Sequence, residues 1–264
     1  MPFFIKELQI QPNKPDVNEN IYHLANHLKE IYSNMLNGLT DGVSTRELSD
    51  IAHATARSMG ISLTFKEVQG FPDGVSISVN HESANGVPDK SKIIKTGDMV
   101  KVAIGVGNAG QAFCVQNSTV VLGKPTLLDS LLIAKTKKCL QQAIAVCLPG
   151  NRVSDIVQAL DETAKQETIF ISKLFCGHMI GTKPILAPAI IKPKMFFGKD
   201  YILQAGCMVS VSVIGYSQKP NECFRQNRWT VYEKNGLRSA AFSHVVMVDE
   251  GGVKTVTAEL PVCV

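Results

Sequence analysis

The sequence predicts an α+β fold in one domain, residues 1–264, made of two similar halves at roughly 18–122 and 126–248. Three observations predict it. Each half opens with two amphipathic helix-like segments. Each then turns to runs rich in β-branched residues. The chain, with 264 residues and 45% hydrophobic content, is long and apolar enough to bury a substantial core. An order of helix–helix–strands, repeated once, implies two ααββ units sharing that core.

The elements follow in order. Residues 18–38 place Ile21, Leu24, Ala25, Leu28, Ile31, Tyr32 and Met35 at the three-four spacing of one buried helix face. The stretch 39-LTDGVS-44 is a turn, and Ser44 or Thr45 caps the next helix with Glu47 in its first turn. That helix buries Leu48, Ile51, Ala52, Ala56 and Met59 and ends before Gly60. Strands are predicted at 61–68, 75–80, 99–106 and 113–122, punctuated by Gly, Pro and Asp at 70-GFPDG-74, 86-GVPD-89 and 107-GNAG-110. A long helix over 126–147 stops at Pro149-Gly150, and a second runs over roughly 153–166. Then come 176-CGHMIG-181, a proline-rich loop at 184-PILAPAIIKP-193, and strands near 208–214, 229–234 and 242–248. The arm 1-MPFFIKELQIQPNKP-15 reads as a short ordered arm or strand.

Composition excludes several function classes. Charged residues make up 19% and the formal net charge is +4, too mild for a dedicated nucleic-acid binder. The basic run 135-KTKK-138 reads as a solvated helix face. The N-terminus carries Glu7 and no long apolar core, so no secretory signal is expected. No apolar run approaches the roughly 20 residues of a membrane span. Cys114, Cys139, Cys147, Cys176, Cys207, Cys223 and Cys263 are scattered, with no CxxC pair. This suits free thiols in a reducing cytoplasm.

Eight collinear stretches carry a resemblance. They are 42-GVSTREL-48, 70-GFPDGVSISVN-80, 86-GVPD-89, 97-GDMVKVAIGV-106, 123-GKP-125, 176-CGHMIG-181, 203-LQAGCMVSVSV-213 and 229-WTVYEKNGLRSAAFSHVVMV-248. Together they make the chain resemble the type I methionine aminopeptidases of the creatinase/aminopeptidase superfamily over nearly its whole length. The resemblance implies the pita-bread fold. In it two pseudo-symmetric halves wrap antiparallel sheets around a central pocket, with helices outside.

The family hydrolyses N-terminal methionine with two divalent metals, held by two Asp, one His and two Glu. Two such ions need several carboxylates to offset their charge. Carried onto this sequence, the first aspartate position is Ala103. The second is Cys114 counting forward from Gly110, or Val115 counting back from Gly123. The histidine is His178, and the glutamate positions are Ser212 and Ser243. Two further histidine positions of the family hold Asn85 and Ile185. Alanine and valine cannot ligate, and serine hydroxyls are poor ligands for divalent ions. No dinuclear metal centre, and no other cofactor, is expected.

Two roles remain open for such a pocket. One is a non-catalytic or regulatory binder of a small molecule, peptide or protein partner. The other is metal-independent chemistry, with His178 as general base, Cys114, Ser212 or Ser243 as nucleophile and Asn85 as an amide donor. Ser243 and His244 are strand neighbours, so only one of them faces the pocket. The resemblance places Val68, Phe71, Ser76, Pro184 and Trp229 around the substrate pocket, and an apolar cavity with few polar groups is a ligand-site signature. The segment 182-TKPILAPAIIKPKMFFGK-199 is either a lid over that pocket or a partner surface.

Overall fold

The computed structural model describes residues 6–67, 70–108, 112–174, 177–183, 185–189 and 199–264. In chain order the elements are β1 (Lys6–Gln9), α1 (Pro15–Asn37), α2 (Thr45–Ser58), β2 (Ser62–Leu63), β3 (Val75–Val79), β4 (Glu82–Ala84), β5 (Met99–Asn108) and β6 (Ala112–Val121). The second half follows with α3 (Leu127–Ala145), α4 (Val153–Gln166), β7 (Phe170–Ile171), β8 (His178–Ile180), β9 (Leu186–Ala189), β10 (Lys199–Ile202) and β11 (Met208–Tyr216). It closes with β12 (Glu222–Phe224), β13 (Val231–Glu233), β14 (Ser239–Asp249) and β15 (Gly252–Thr255).

The expected α+β layering is present. In the first half α1 and α2 cover a sheet ordered β2-β5-β3, with β6 also paired to β5. In the second, α3 and α4 cover a sheet ordered β15-β14-β11-β8-β9, with β7 also paired to β11. Each sheet buries one face under its own helix pair. Leu28, Ile31 and Met35 pack with Val102, Ile104 and Val106 in the first half. Leu140, Ala143 and Ile156 pack with Val209, Val211 and Val246 in the second. Strand alternation turns the opposite faces away from the helices. Those faces meet across the middle of the molecule.

Local chemistry explains the boundaries. The first helix starts at Pro15 rather than 18, because proline suits the first helical position, where no N–H is needed. Ser44 and Glu47 form a reciprocal capping box: Ser44 Oγ accepts from the Glu47 N–H at 3.2 Å, and Glu47 Oε2 accepts from the Ser44 N–H at 2.8 Å. Thr126 caps α3 by accepting from the Asp129 N–H at 3.1 Å. The expected strand over 61–68 is cut to two residues, followed by a 3-10 turn at Phe65–Glu67. Thr64 crosses β5 where Gly105 has no side chain; a Cβ there would sit 2.4 Å from Thr64 Oγ1. The expected strand at 229–234 shortens to Val231–Glu233. The N-terminal arm forms β1, which pairs in parallel with β10, whereas the other paired strands among the described residues run antiparallel. Asn13 Nδ2 then donates to the Ile180 carbonyl at 3.0 Å, so the arm braces β8. No helix among the described residues is long and apolar enough to cross a membrane.

The halves join where β6 runs beside β14. Side-chain hydroxyls make the junction. Thr119 Oγ1 donates to the Ala241 carbonyl at 2.8 Å and accepts from the Ala241 N–H at 2.7 Å. Ser243 Oγ accepts from the Asn117 N–H at 2.8 Å. Thr119 is fully buried. Thr119→Val keeps the shape but strips both Ala241 groups of their partner. A loss of about 2–4 kcal/mol in unfolding free energy is expected by urea titration.

Asp73 fixes the 70–74 turn. Its buried carboxylate accepts from Arg46 Nη1 at 2.7 Å, Ser49 Oγ at 2.7 Å, His53 Nε2 at 3.0 Å and the Gly74 N–H at 2.6 Å. Burial pushes this carboxyl up. Hydrogen bonds from Ser49, His53 and Val75, with the Arg46 charge, outweigh burial and hold it below the ordinary carboxylate value. A depressed folded value gives stability that is present above the unfolded value and lost as pH falls through the folded one. Asp73→Asn is expected to cost about 2–4 kcal/mol between pH 5 and 8. The difference between the two proteins should begin to shrink only below about pH 4 and vanish once pH has fallen through the depressed folded value.

Candidate functional site

A cavity of about 330 Å³ lies where the helix-free faces of the two sheets meet. Strand register decides which residues reach it. On the first sheet Ala103 sits opposite Ser76 on β3 and Asn117 on β6. On the second, Ser212 sits opposite Ser243, and Ser210 opposite His178. All of these border the cavity, as do Asn85 and Val115. Ile185 borders it too and is 48% exposed, so it stands at the rim.

The remaining candidates fall elsewhere. Phe71 and Trp229 are not among the residues bordering the cavity. Phe71 packs edge-on between Phe65, with ring centroids 5.7 Å apart, and Trp229, at 5.5 Å. Only Phe65 of the three reaches the cavity. Val68 and Pro184 lie outside the described residues, as do 190–198 of the proline-rich segment, for which lid and partner surface were the two expectations. The part of that segment at Leu186–Ala189 forms β9, paired with β8.

Cys114 requires a correction. The β5–β6 hairpin pairs Cys114 with Val106 and Val115 with Gly105, in an unbroken register. Val115 therefore shares the cavity face with Ala103. Cys114 contributes to the cavity wall from the helix-covered face, fully buried among the residues packed under α1. Burial pushes its thiol up to about 12. A thiol held protonated is not a nucleophile near neutral pH, so Cys114 does not suit that role.

His178 stands at the start of β8. Its Nδ1 lies 2.9 Å from the Met179 carbonyl oxygen. A carbonyl only accepts, so Nδ1 carries the proton and Nε2 keeps its lone pair. Burial lowers the imidazole's affinity for a second proton; the bond to Met179 works the other way and is the smaller effect. His178 is therefore a neutral acceptor at pH 7. Its neighbour in the motif logic, His244, faces away from the cavity: Nδ1 bonds Thr257 Oγ1 at 2.9 Å and Nε2 bonds Glu259 at 3.1 Å. Ser243 is the one of that pair that faces inward.

Sequence reasoning missed Lys101, Ser78, Ser83, Asn117, Ser210 and Phe113, all of which border the cavity. The signal was present. Lys101, Ser210 and Ser78 each stand two residues from Ala103, Ser212 and Ser76, and alternation puts them on the same face. Lys101 is the unexpected one. It is 2% exposed, and its Nζ donates to the Asn80 carbonyl at 2.6 Å and the Ser239 carbonyl at 3.2 Å. Burial brings its ammonium down to about 7.

Many polar groups here have no protein partner. Among the described residues the side chains of Ser76, Asn85, Asn117, Ser210 and Ser212 make no hydrogen bond within the protein. Asn117 Oδ1 is also shielded from solvent. Folded chains seldom leave buried polar atoms in that condition.

A two-metal centre does not fit these residues. The positions implied by the resemblance present one imidazole, a methyl group, an isopropyl group and two hydroxyls. Not one carboxylate borders the cavity among the described residues. Among the same residues no three His, Cys, Asp or Glu side chains converge in a metal-binding group. Lys101 adds a positive charge on the same face.

Comparison with known proteins identifies the lineage. The methionine aminopeptidase of Aquifex aeolicus is 29% identical over 245 residues, covering 89% of this chain and 93% of its own. That of Buchnera aphidicola is 26% identical over 229 residues, covering 84% and 83%. The crystal structure of methionine aminopeptidase from Thermotoga maritima superposes with a TM-score of 0.87 at 21% identity, covering 95% of this chain and 100% of its own. At that identity the likeness is one of fold. The model of metallopeptidase family M24 matches residues 19–250. The chain thus belongs to metallopeptidase family M24 and has the pita-bread fold of the methionine aminopeptidases.

Proposed function

We propose that this chain is a methionine-aminopeptidase-like protein without a dinuclear metal centre, whose central pocket binds a small molecule or peptide in a non-catalytic or regulatory role. One observation carries the reading. The cavity gathers His178 with Ala103, Val115, Ser212 and Ser243, and no carboxylate lies among them. A hydrolytic two-metal site needs those carboxylates to hold the ions and to generate the attacking hydroxide. The cavity itself persists, with apolar walls and polar side chains that lack protein partners, which favours a ligand over a collapsed remnant. The six cysteines among the described residues are free, which supports a reducing cytoplasm as the place of action.

This reading departs from the names of the relatives, which are methionine aminopeptidases, and it is tested on that ground. The purified chain, stripped with chelator and titrated with manganese or cobalt, is expected to take up no pair of tightly bound ions by calorimetry and elemental analysis. It is expected to release no methionine from a Met-Ala-Ser peptide at any metal concentration. Two bound equivalents together with methionine release would overturn it.

A second reading has one observation in its favour. The Nδ1–H bond to Met179 leaves the His178 Nε2 lone pair available, as a general base requires, and Ser210, opposite His178, and Ser212 are unengaged hydroxyls nearby in the register. A metal-independent activity would then fall at least about a hundredfold in His178→Ala. An activity that survives that change excludes this second reading.

A further inference from the structure

This inference rests on the pocket being a ligand site and names the class of ligand. The cavity lining contains one formally charged side chain, Lys101, and no carboxylate among the described residues. Two of the three ammonium N–H groups of Lys101 go to the carbonyls of Asn80 and Ser239. The third has no acceptor among the described residues, and the lysine borders the cavity. Among the described residues no carboxylate lies within ion-pair distance of Lys101. Four charged groups act on it from neighbouring elements: Glu82 on β4, Asp98 ahead of β5, Asp129 on α3 and Arg238 ahead of β14. Each is engaged elsewhere. Glu82 pairs with Lys92 at 2.8 Å and Arg225 at 3.3 Å; Asp129 pairs with Arg238 at 2.9 Å. Asp98 accepts from Asn80 Nδ2 at 2.7 Å.

A buried cation without a counter-charge is costly. An occupant that brings one negative charge removes that cost. One ammonium with no guanidinium in the cavity lining among the described residues matches a single negative charge and not a phosphate, which carries more charge and favours forked donors. The remaining walls set the rest of the ligand. Phe65, Phe113, Ile180, Ile185 and Val115 are apolar.

We propose that the pocket binds a small monocarboxylate with an apolar tail, its carboxylate paired with Lys101 and its tail against Phe65 and Phe113. The cavity of about 330 Å³ suits a ligand of that size. Because burial has brought the Lys101 ammonium down to about 7, the bound carboxylate raises its affinity for a proton. Binding is then accompanied by proton uptake and weakens toward tenfold per pH unit above about pH 8.

The test uses the full chain and three probes of one shape: isocaproate, isocaproamide and isoamylamine. Calorimetric titration at pH 7 is expected to rank the carboxylate about tenfold or more above the amide, with the amine weakest. Titration in two buffers of different ionisation heat should show proton uptake with isocaproate and none with isocaproamide. Lys101→Met and Lys101→Gln should bring isocaproate down to the affinity of the amide while leaving the amide within about twofold. The proton-uptake measurement needs no variant, so it decides even if both variants misfold. Equal affinity for carboxylate and amide, a preference for the amine, or an unchanged preference in the Lys101 variants would each overturn the inference. If the amide binds and Ala103→Phe blocks it, but the carboxylate has no advantage, the pocket reading stands and this inference fails. If no probe binds, both fail.

Discussion

The structure depends on the junction between β6 and β14. Neither strand closes a backbone ladder with the other there. Two hydroxyls do it instead, Thr119 reaching the Ala241 peptide and Ser243 reaching the Asn117 N–H. These bonds hold two separately built sheets edge to edge, each with its own helices and apolar core. Everything that borders the cavity follows from that geometry. Alternation along the long strands then turns residues such as Ala103, Val115, Ser210 and Ser212 toward the cavity and their neighbours toward a helix-covered core, although Cys114 reaches the cavity wall from the core side.

The same rule explains what could be read in the sequence. The two helix pairs were legible because their apolar residues recur at three-four spacing, and because Ser44 and Glu47 mark a helix start by chemistry that needs no tertiary partner. The long strands β5, β6, β11 and β14 were legible from β-branched runs. The short strands β4, β7 and β12 were not, since two or three residues carry no period. Ser212, Ser243 and Ala103 were located by motif spacing. The choice between Cys114 and Val115 needed the hairpin register, which depends on the number of residues in the intervening loop. Lys101 was missed for a different reason. A lysine in a strand reads as solvent-facing, and only the second sheet packed over it makes it buried.

The chemistry of the cavity lining differs from what a two-metal site requires. A two-metal centre is a concentration of positive charge held by anionic side chains. Among the described residues no anionic side chain borders this cavity, and one lysine does. Hydroxyls and amides make up most of the cavity's polar surface. His178 keeps its place, with its tautomer set by a backbone carbonyl next door, so its Nε2 remains an acceptor whichever role the pocket has.

Lys101 also bears on what it would take to place a metal in this cavity. It lies two residues along β5 from Ala103 on the same face, about 7 Å away by strand rise. An aspartate restored at position 103 would meet an ammonium before it met a metal, and the pair would neutralise each other. Divalent ions placed there would be repelled by the same lysine. Building a metal site here therefore has an order: the lysine must leave before a carboxylate is useful.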